Sequence, residues 1–304
     1  MQTLTSLARD ARHLQIVVLS ALLGYGMLAL DFELEALPSA LVIASALVTQ
    51  LVFCRVKGIP FDLRSPLISS LSLCLLLRAA HPAFLCAGAV IAVASKFLIR
   101  SGDKHVFNPT NLAIVVLLAT TDAVWVSPGQ WGSTAIATAA FVLGGALVLR
   151  RAERSDITFA FLIVWAALLI GRSMWLGEPA SIPLHRMQNG GLLLFAFFML
   201  SDPRTTPDSR VGRIAFATVI AAVAAFIRFG LYESNALLIS LAICAPLVPL
   251  ADRLLPGRRF TWTGTPSPSR AALPVASLPH DARLLLHREE SLLIEESLPI
   301  RSST

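Results

Sequence analysis

Charged residues and cysteines are both scarce in this 304-residue chain, and each scarcity excludes a class of protein. Only 14% of the residues are charged and 55% are hydrophobic, a balance that does not suit a soluble domain, whose solvated exterior needs polar side chains. The 4 cysteines lie singly in or beside apolar runs, without the CxxC or Cys/His spacing of a disulfide framework or a metal site. The composition therefore places the chain in the lipid bilayer.

Motifs of soluble catalysts are absent as well. The sequence contains no HExxH, GxSxG, Walker or GxGxxG pattern and no paired-carboxylate motif. The net charge of +6 would suggest nucleic acid in a soluble protein, but in membrane proteins Lys and Arg gather in cytoplasmic loops. We therefore expect no metal site, no nucleic-acid partner and no catalysis by the chain alone, so that any redox chemistry needs a cofactor or partner subunits.

Apolar runs, most of them long enough to cross a bilayer as helices, recur along the first 255 residues. They predict an all-α, polytopic membrane protein with about ten transmembrane helices. The runs are 14–30, 37–53, 66–80, 83–99, 109–126, 132–149, 157–175, 189–200, 211–229 and 234–251. Two of them, 66–80 and 189–200, are short enough to be half-helices. Most Lys and Arg fall on one side when the N-terminus is placed in the cytoplasm, which predicts an N-in, C-in orientation.

The composition changes near Pro256, after which Pro, Ser, Thr and Arg dominate. This change predicts a transmembrane domain over 1–255 and a cytoplasmic, largely disordered tail over 256–304. Within the tail, residues 281–297 place four leucines on one helical face among carboxylates. They predict a short amphipathic helix, which either binds a partner or stays solvated.

Two polar clusters interrupt the apolar runs, KHVFNPTN at 104–111 and MLSDPRTTP at 199–207. Polar groups in membrane segments are costly unless they face protein or a water-filled cavity, so these clusters are the candidate site. Asn-Pro and Asp-Pro turn the residue before proline out of the helical region. Each cluster therefore either breaks a helix at a ligand site or caps a helix, with Asn108 or Asp202 as the cap. Lys96, near a helix end, is expected to snorkel toward the membrane surface.

Three segments carry a resemblance to a known family: HVFNPTNLA at 105–113, FMLSDPRTTPDSRVGRIAF at 198–216 and IRFGLYESNALLISLAICAPLVPLAD at 227–252. Together they resemble a family of membrane proteins that includes the D subunit of Rnf-type electron-transport complexes and the B subunit of Na⁺-translocating NADH:quinone oxidoreductase. The resemblance covers about residues 95–255. It implies a subunit of a flavin-dependent complex in the bacterial cytoplasmic (inner) membrane, moving electrons across or along the membrane, in some members coupled to Na⁺ or H⁺ translocation.

The resemblance also implies a flavin, FMN or riboflavin, bound among the helices, with other membrane subunits or soluble electron carriers as partners. Aromatic neighbours would pack against the flavin ring, while amide and hydroxyl groups would bind its polar edges. The residues expected to bind the cofactor are Phe107, Asn108, Thr110, Asn111, Ser181, Asp202, Thr205 and Thr206. A non-redox transporter or channel for small solutes or ions, with a broken-helix site at the midplane, is the alternative function.

Family members often carry FMN attached through a phosphoester to a Thr of an external loop, in a pattern resembling Ser/Thr-Gly-Ala-Thr. The corresponding loop here reads GEPASIPL at 177–184. Ser181 offers a hydroxyl, but Glu178 and Pro179 occupy the Ser/Thr and Gly positions, and alignment on Pro183-Leu184 puts Ile182 at the acceptor. This departure favours a non-covalent flavin over attachment at Ser181.

Overall fold

The computed structural model describes residues 11–29, 35–127, 145 and 154–260, all of them within one unit of the chain, 1–263. Helices dominate this part of the chain. They are α1 (Ala11–Ala29), α2 (Ala36–Lys57), α3 (Arg64–Leu76), α4 (Pro82–Leu98), α5 (Pro109–Thr120), α6 (Ser155–Leu176), α7 (Ser181–Met187), α8 (Gly190–Leu194), α9 (Arg210–Gly230), α10 (Ala236–Cys244) and α11 (Leu247–Leu254). A π-helical segment, Phe195–Met199, continues α8.

Four of these helices, α1, α2, α6 and α9, are long and apolar enough to cross a membrane. The pair α10 and α11, bent by 52°, passes the same test together, as either a broken span or a re-entrant loop. Described helices overlap every predicted run except 132–149, which lies outside the described residues apart from Gly145. The predicted tail helix at 281–297 also lies outside them. The structure is thus that of a helical membrane protein.

The run 109–126 is not one helix, and the run 66–80 is a half-helix continued by a strand. Helix α5 has 12 residues and so a length of about 18 Å, too short for a hydrocarbon core of about 30 Å. Strands β1 (Leu77–Ala79) and β4 (Val124–Val126) extend α3 and α5 and pair antiparallel with each other. Their pairing satisfies backbone groups that lipid would leave unpaired.

Local side-chain chemistry explains why α5 stops at Thr120. The hydroxyl of Thr121 accepts a hydrogen bond from the backbone N–H of Ala123 at 3.1 Å, which offers the backbone a turn in place of the next helical turn. A sequence such as LLATTDAVWV is apolar enough to suggest a continuous span. The prediction of a helix over 109–126 is therefore wrong at its C-terminal end.

A third short helix confirms the half-helix prediction for 189–200. Helix α8 begins at the cap Asn189, whose side-chain oxygen accepts from the N–H of Leu192 at 3.1 Å. With its π-helical continuation it spans only Gly190–Met199. The wider turn is closed by the N–H of Leu200, which donates to the carbonyl of Phe195 at 2.8 Å. π-Helical turns of this kind are rare and occur often at functional sites.

Small residues let the helices approach closely around the half-helices. A Cβ added to Gly88 of α4 would lie 3.1 Å from Leu117 and 3.2 Å from Leu77, so α4 packs tightly against α5 and β1. Other close neighbours are α2 with α3 and α4, α6 with α9, α1 with α3, and α9 with α10. Small-residue contacts are the usual packing in membranes, where hydrophobic burial does not distinguish neighbouring helices from lipid.

A short hairpin between α4 and α5 completes the frame of the site. Its strands are β2 (Arg100–Ser101) and β3 (Lys104–His105), with Gly102 at the tip in the left-handed region at φ 61°. Glycine adopts this conformation without steric cost. The hairpin brings the ends of α4 and α5 together and sets the position of the first polar cluster.

Candidate functional site

The structure brings the two polar clusters together through Asn108. Its side-chain oxygen accepts from the N–H of Asn111 at 3.1 Å, which makes it the N-cap of α5, with Pro109 at the first helical position. Its side-chain amide also donates to the carbonyl of Met199 at 3.3 Å, at the end of the π-helical segment. The capping alternative is therefore correct for the first cluster. The same residue also fastens this cluster to the second.

Asp202 does not cap a helix. Its Oδ1 accepts from the N–H of Arg204 at 3.0 Å, and the hydroxyls of Thr205 and Thr206 donate to its carbonyl at 3.4 and 3.1 Å. Helix α9 begins later, with Ser209 as its cap through the N–H of Gly212 at 3.0 Å. The second cluster is thus a compact turn. The carboxylate of Asp202 lies beside a cavity, which is described next.

This polar cavity has a volume of about 280 Å³ and lies between the first turns of α3 and α5 and the end of the π-helical segment. It is close to the lower limit of about 300 Å³ that is typical of ligand pockets. Of the residues expected to bind a cofactor, Asn108, Thr110 and Asp202 line it. Phe107, Asn111, Ser181, Thr205 and Thr206 are not among its lining residues.

The predicted residues outside the lining have other places in the fold. Asn111 donates its side-chain amide to the carbonyl of Leu238 at 3.0 Å and so fastens α5 to α10. Thr205 and Thr206 hold the turn at Asp202, as described above. Phe107 is half-buried just before the Asn108 cap.

Ser181 is remote from these residues in the chain and is the exposed first residue of α7. In the loop before it, Glu178 accepts from Ser173 at 2.9 Å and forms an ion pair with Arg172 at 3.3 Å. Glu178, which replaces the Ser/Thr of the attachment pattern, therefore has a structural role at the end of α6.

Sequence reasoning missed Gln50 and misplaced Lys96, two deeply buried polar side chains of the cavity wall. Both residues are 6% exposed. The amide nitrogen of Gln50 contacts the sulfur of Cys54 at 3.6 Å, while its Oε1 has no hydrogen-bond partner among the described residues. A glutamine within an apolar run is the signal that would have found it.

Lys96 does not snorkel. Its ammonium donates to the carbonyl and to the hydroxyl of Ser65, both at 2.9 Å, and no carboxylate lies within 4 Å of it in the described part of the chain. Burial of an ammonium without a carboxylate is costly, and polar groups of this kind in membrane segments mark functional sites. Lys96 is therefore the strongest candidate for a ligand-binding side chain.

Three titratable groups that line the cavity, His105, Asp202 and Asp62, have shifted pKa values with different causes. Burial, followed by the charges of Lys96, Arg204 and Arg100, lowers the pKa of His105 to about 3, so the imidazole is neutral at pH 7. Burial raises the pKa of Asp202, against the opposing effects of Arg204 and Lys96. The pKa of Asp62 is lowered, because hydrogen bonds from Arg64 and the charges of Arg12 and Arg64 together outweigh its partial burial.

We predict that His105 makes the protein sensitive to acid. Because its pKa is lower in the folded chain than the ordinary value of 6.5, its stabilising contribution is full above pH 6.5 and is lost as the pH falls toward 3. Asp202, with its raised pKa, acts in the opposite direction. The free energy of unfolding, measured in detergent from pH 7.5 to 4.5, should fall with pH in the parent chain. His105→Gln should flatten that fall, and an unchanged slope would contradict the prediction.

A second prediction concerns the double role of Asn108. Asn108→Ala removes a cap and a hydrogen bond to Met199, each of about 1 kcal/mol, and should lower the free energy of unfolding by about 2 kcal/mol. Asn108→Ser is the matched control, because serine retains a capping oxygen but is too short to reach the Met199 carbonyl. It should lose about half as much. Equal losses would show that the cap contributes nothing.

Comparison with known proteins confirms the resemblance inferred from the sequence. The chain is similar to the NQR2, RnfD, RnfE family, whose family model matches residues 121–261. This stretch includes the second polar cluster and the loop with Ser181, whereas the first cluster precedes it.

Similar relatives are named as the D subunit of an ion-translocating oxidoreductase complex. That of Stutzerimonas stutzeri is 36% identical over 89 residues, which cover 29% of this chain and 25% of the relative. That of Alcanivorax borkumensis is 34% identical over 104 residues, or 31% and 28% of the two chains. That of Salmonella paratyphi B is 32% identical over 117 residues, or 37% and 32%. The chain thus spans about a quarter to a third of the length of these relatives.

Proposed function

We propose that the chain is a membrane subunit of an Rnf-type, ion-translocating electron-transport complex and holds a flavin non-covalently in the polar cavity. The observation that carries this proposal is the meeting of two distant polar clusters at a cavity with buried, incompletely bonded polar side chains. The similarity to the D subunits of ion-translocating oxidoreductases supports it. Other membrane subunits or soluble electron carriers would be the partners.

The residues of the cavity fit a flavin. The unpartnered Oε1 of Gln50 is a buried acceptor, and leaving such a group unpaired costs about 1–3 kcal/mol, whereas the flavin ring offers an imide N–H. Ser69 and Ser72 add hydroxyls along the same wall, and Phe97 and Phe198 add aromatic surface. When bound, the flavin would supply the electron-transfer chemistry.

The chain's own residues would bind and orient the flavin. Gln50 and Thr110 would form hydrogen bonds with the polar edges of the flavin ring. Asn108, through its hydrogen bond to the carbonyl of Met199, fixes the end of the π-helical segment in the wall of the cavity. Asn111, Thr205 and Thr206 would act indirectly, by holding α5 and the turn at Asp202 in place. Phe107, next to the cap, would shield the site.

For the topology we propose ten transmembrane helices with both termini in the cytoplasm, in the bacterial inner membrane. Ion pairs between residues that this topology places on the same side of the membrane support the arrangement. On the predicted cytoplasmic side Arg12 binds Asp62 at 2.7 Å and Lys104 binds Asp252 at 2.7 Å. Arg172 and Glu178 pair near the predicted external side. A reporter fused after Gly177 should report the external face, and a cytoplasmic signal would overturn the topology.

The decisive experiment is a cofactor inventory of the full chain purified in detergent, by absorbance and mass spectrometry. We expect one flavin per chain and its loss in Gln50→Leu. Thr49→Val is the matched control, since Thr49 is its buried neighbour on α2, donates its hydroxyl to the carbonyl of Ser45 at 2.7 Å and is not among the lining residues of the cavity. A colourless parent protein that moves ions or solutes in liposomes would favour the transporter alternative.

Covalent attachment has its own test. After co-expression with a flavin transferase, a denaturing gel of the chain should show no flavin fluorescence. A fluorescent band that Ser181→Ala abolishes would overturn the non-covalent proposal and assign attachment to Ser181.

A further inference from the structure

Two arginines meet on one aromatic ring at the ends of α6 and α9, outside the polar cavity. The guanidinium carbon of Arg172, near the end of α6, lies 4.5 Å from the centre of the Phe229 ring, near the end of α9. That of Arg186, on the short helix α7, lies 5.6 Å from the same ring. The buried Trp165 stacks on Phe229 at 6.4 Å and supports it. The ring thus holds two cations by cation–π attraction.

The positive charge of these two arginines is only half neutralised. Glu178 forms an ion pair with Arg172 at 3.3 Å, and its other carboxylate oxygen accepts from Ser173 at 2.9 Å. Arg186 has neither a carboxylate within 4 Å nor a hydrogen-bond acceptor in the portion of the chain whose structure is described. Two guanidinium groups held on one ring repel each other. An anion that binds both would relieve this repulsion and supply the acceptor that Arg186 lacks.

The arginines lie at the level of a membrane surface. Helices α6 and α9 are both long and apolar enough to cross a bilayer, and Arg172 meets Phe229 where both helices end. Trp175 and Tyr232, beside the same two helix ends, are 84% and 86% exposed. Tryptophan and tyrosine are enriched at membrane–water interfaces, because their rings are apolar and carry one polar group. Arg172 and Arg186 are therefore at the depth of lipid headgroups.

Exposed apolar side chains next to the arginines offer a surface for acyl chains. Phe226, three residues before Phe229 on α9, is 65% exposed, and Leu184 of α7, two residues before Arg186, is 60% exposed. Phe226 lies on the hydrocarbon side of Phe229, because α9 enters the bilayer in that direction. Cations at headgroup depth beside an exposed apolar surface suit an amphipathic anion better than a soluble one.

We infer that Arg172 and Arg186 bind the headgroup phosphate of an anionic phospholipid of the phosphatidylglycerol type, whose acyl chains lie along Phe226. This site is separate from the proposed flavin site and does not depend on it. Guanidinium groups bind phosphate oxygens through pairs of parallel hydrogen bonds. Basic pockets between transmembrane helices bind anionic lipid headgroups. A zwitterionic headgroup would bring an ammonium close to Arg186, so an anionic lipid is favoured.

Native mass spectrometry of the delipidated full chain in detergent tests the site, with phosphatidylglycerol and phosphatidylethanolamine of identical acyl chains titrated in turn. The parent chain should bind a single phosphatidylglycerol about tenfold or more tightly than phosphatidylethanolamine, because charge-assisted hydrogen bonds hold only the former without a competing cation. Arg186→Gln should remove this preference. Arg228→Gln is the matched control, since Arg228 is exposed at the same end of α9 but donates to the carbonyl of Ser234 at 2.9 Å.

Thermal unfolding without lipid shows whether the variants are folded. Arg186→Gln should unfold at nearly the parent temperature, because Arg186 has no ion pair with the described residues, and Arg186→Lys, which keeps the charge without the planar fork, should retain part of the preference.

Equal binding of the two lipids by the parent chain would overturn the inference. A loss of preference in Arg228→Gln as large as in Arg186→Gln would also overturn it, because general surface charge would then explain the binding. If Arg186→Gln keeps the lipid preference but no longer co-purifies with other membrane subunits, Arg186 binds a partner protein and the inference fails.

Discussion

Replacing Lys104 by Met should lower the free energy of unfolding by about 3–5 kcal/mol, the loss expected when one partner of a buried ion pair is removed. The ammonium of Lys104 lies 2.7 Å from Asp208 and 2.7 Å from Asp252, and it donates to the carbonyl of Thr206 at 2.9 Å. The Asp208 side chain is only 7% exposed. Without the ammonium, two carboxylates, one just before α9 and one in α11, would face each other.

Unfolding of the detergent-solubilised chain by denaturant measures this loss. Arg259→Gln is the control, because its pair with Asp103 at 3.1 Å is exposed and should contribute less than about 1 kcal/mol. Adding Asp252→Asn to Lys104→Met should recover part of the stability, since it removes the repulsion that the first change creates. A Lys104→Met variant as stable as the control would show that the ion pairs of Lys104 with Asp208 and Asp252 do not stabilise the fold.

Replacing Lys96 by Met should have two opposite effects. The flavin-free protein should gain stability, because an ammonium buried without a carboxylate is costly and a methionine at the same place is apolar. Affinity for the flavin should fall by about tenfold or more, because Lys96 is a buried hydrogen-bond donor in the wall of the proposed flavin site. If Lys96 only stabilised the fold, the Lys96→Met variant would lose stability and keep its affinity for the flavin.

Denaturant unfolding and flavin titration of the same preparation give the two quantities. Lys57→Met is the matched control, since the exposed Lys57 donates to the carbonyl of Phe97 at 2.9 Å, just beyond Lys96 on α4, and does not line the cavity. It should change neither quantity by much. A Lys96→Met variant that is less stable and keeps its flavin affinity would assign Lys96 a purely structural role.

Much of the fold follows from local sequence signals. Apolar runs located nearly all the described helices, and Asn108-Pro109 marked the first residues of α5. The ends of α3 and α5 were harder to predict, because β1 and β4 pair across more than forty positions of the chain. Strand pairing over that distance has no local signature, whereas an apolar run such as 109–126 has the signature of a helix.

The site was predictable only in part, for the same reason. Asn108 and Asp202 interrupt apolar sequence, and proline follows each, so both stand out locally. Gln50 and Lys96 are single polar residues on helices of otherwise ordinary composition. Their importance arises from their burial in the wall of the cavity, which the sequence of α2 or α4 alone does not reveal.

The π-helical segment also has a mechanical consequence. Two of its carbonyls accept hydrogen bonds from side chains that lie on either side of it in the sequence. Thr158 of α6 donates to the carbonyl of Ala196 at 2.8 Å, and Asn108, which precedes α5, donates to that of Met199. One short half-helix thus joins the N-terminal and C-terminal helix groups, so a displacement of either group would be transmitted directly to the wall of the cavity.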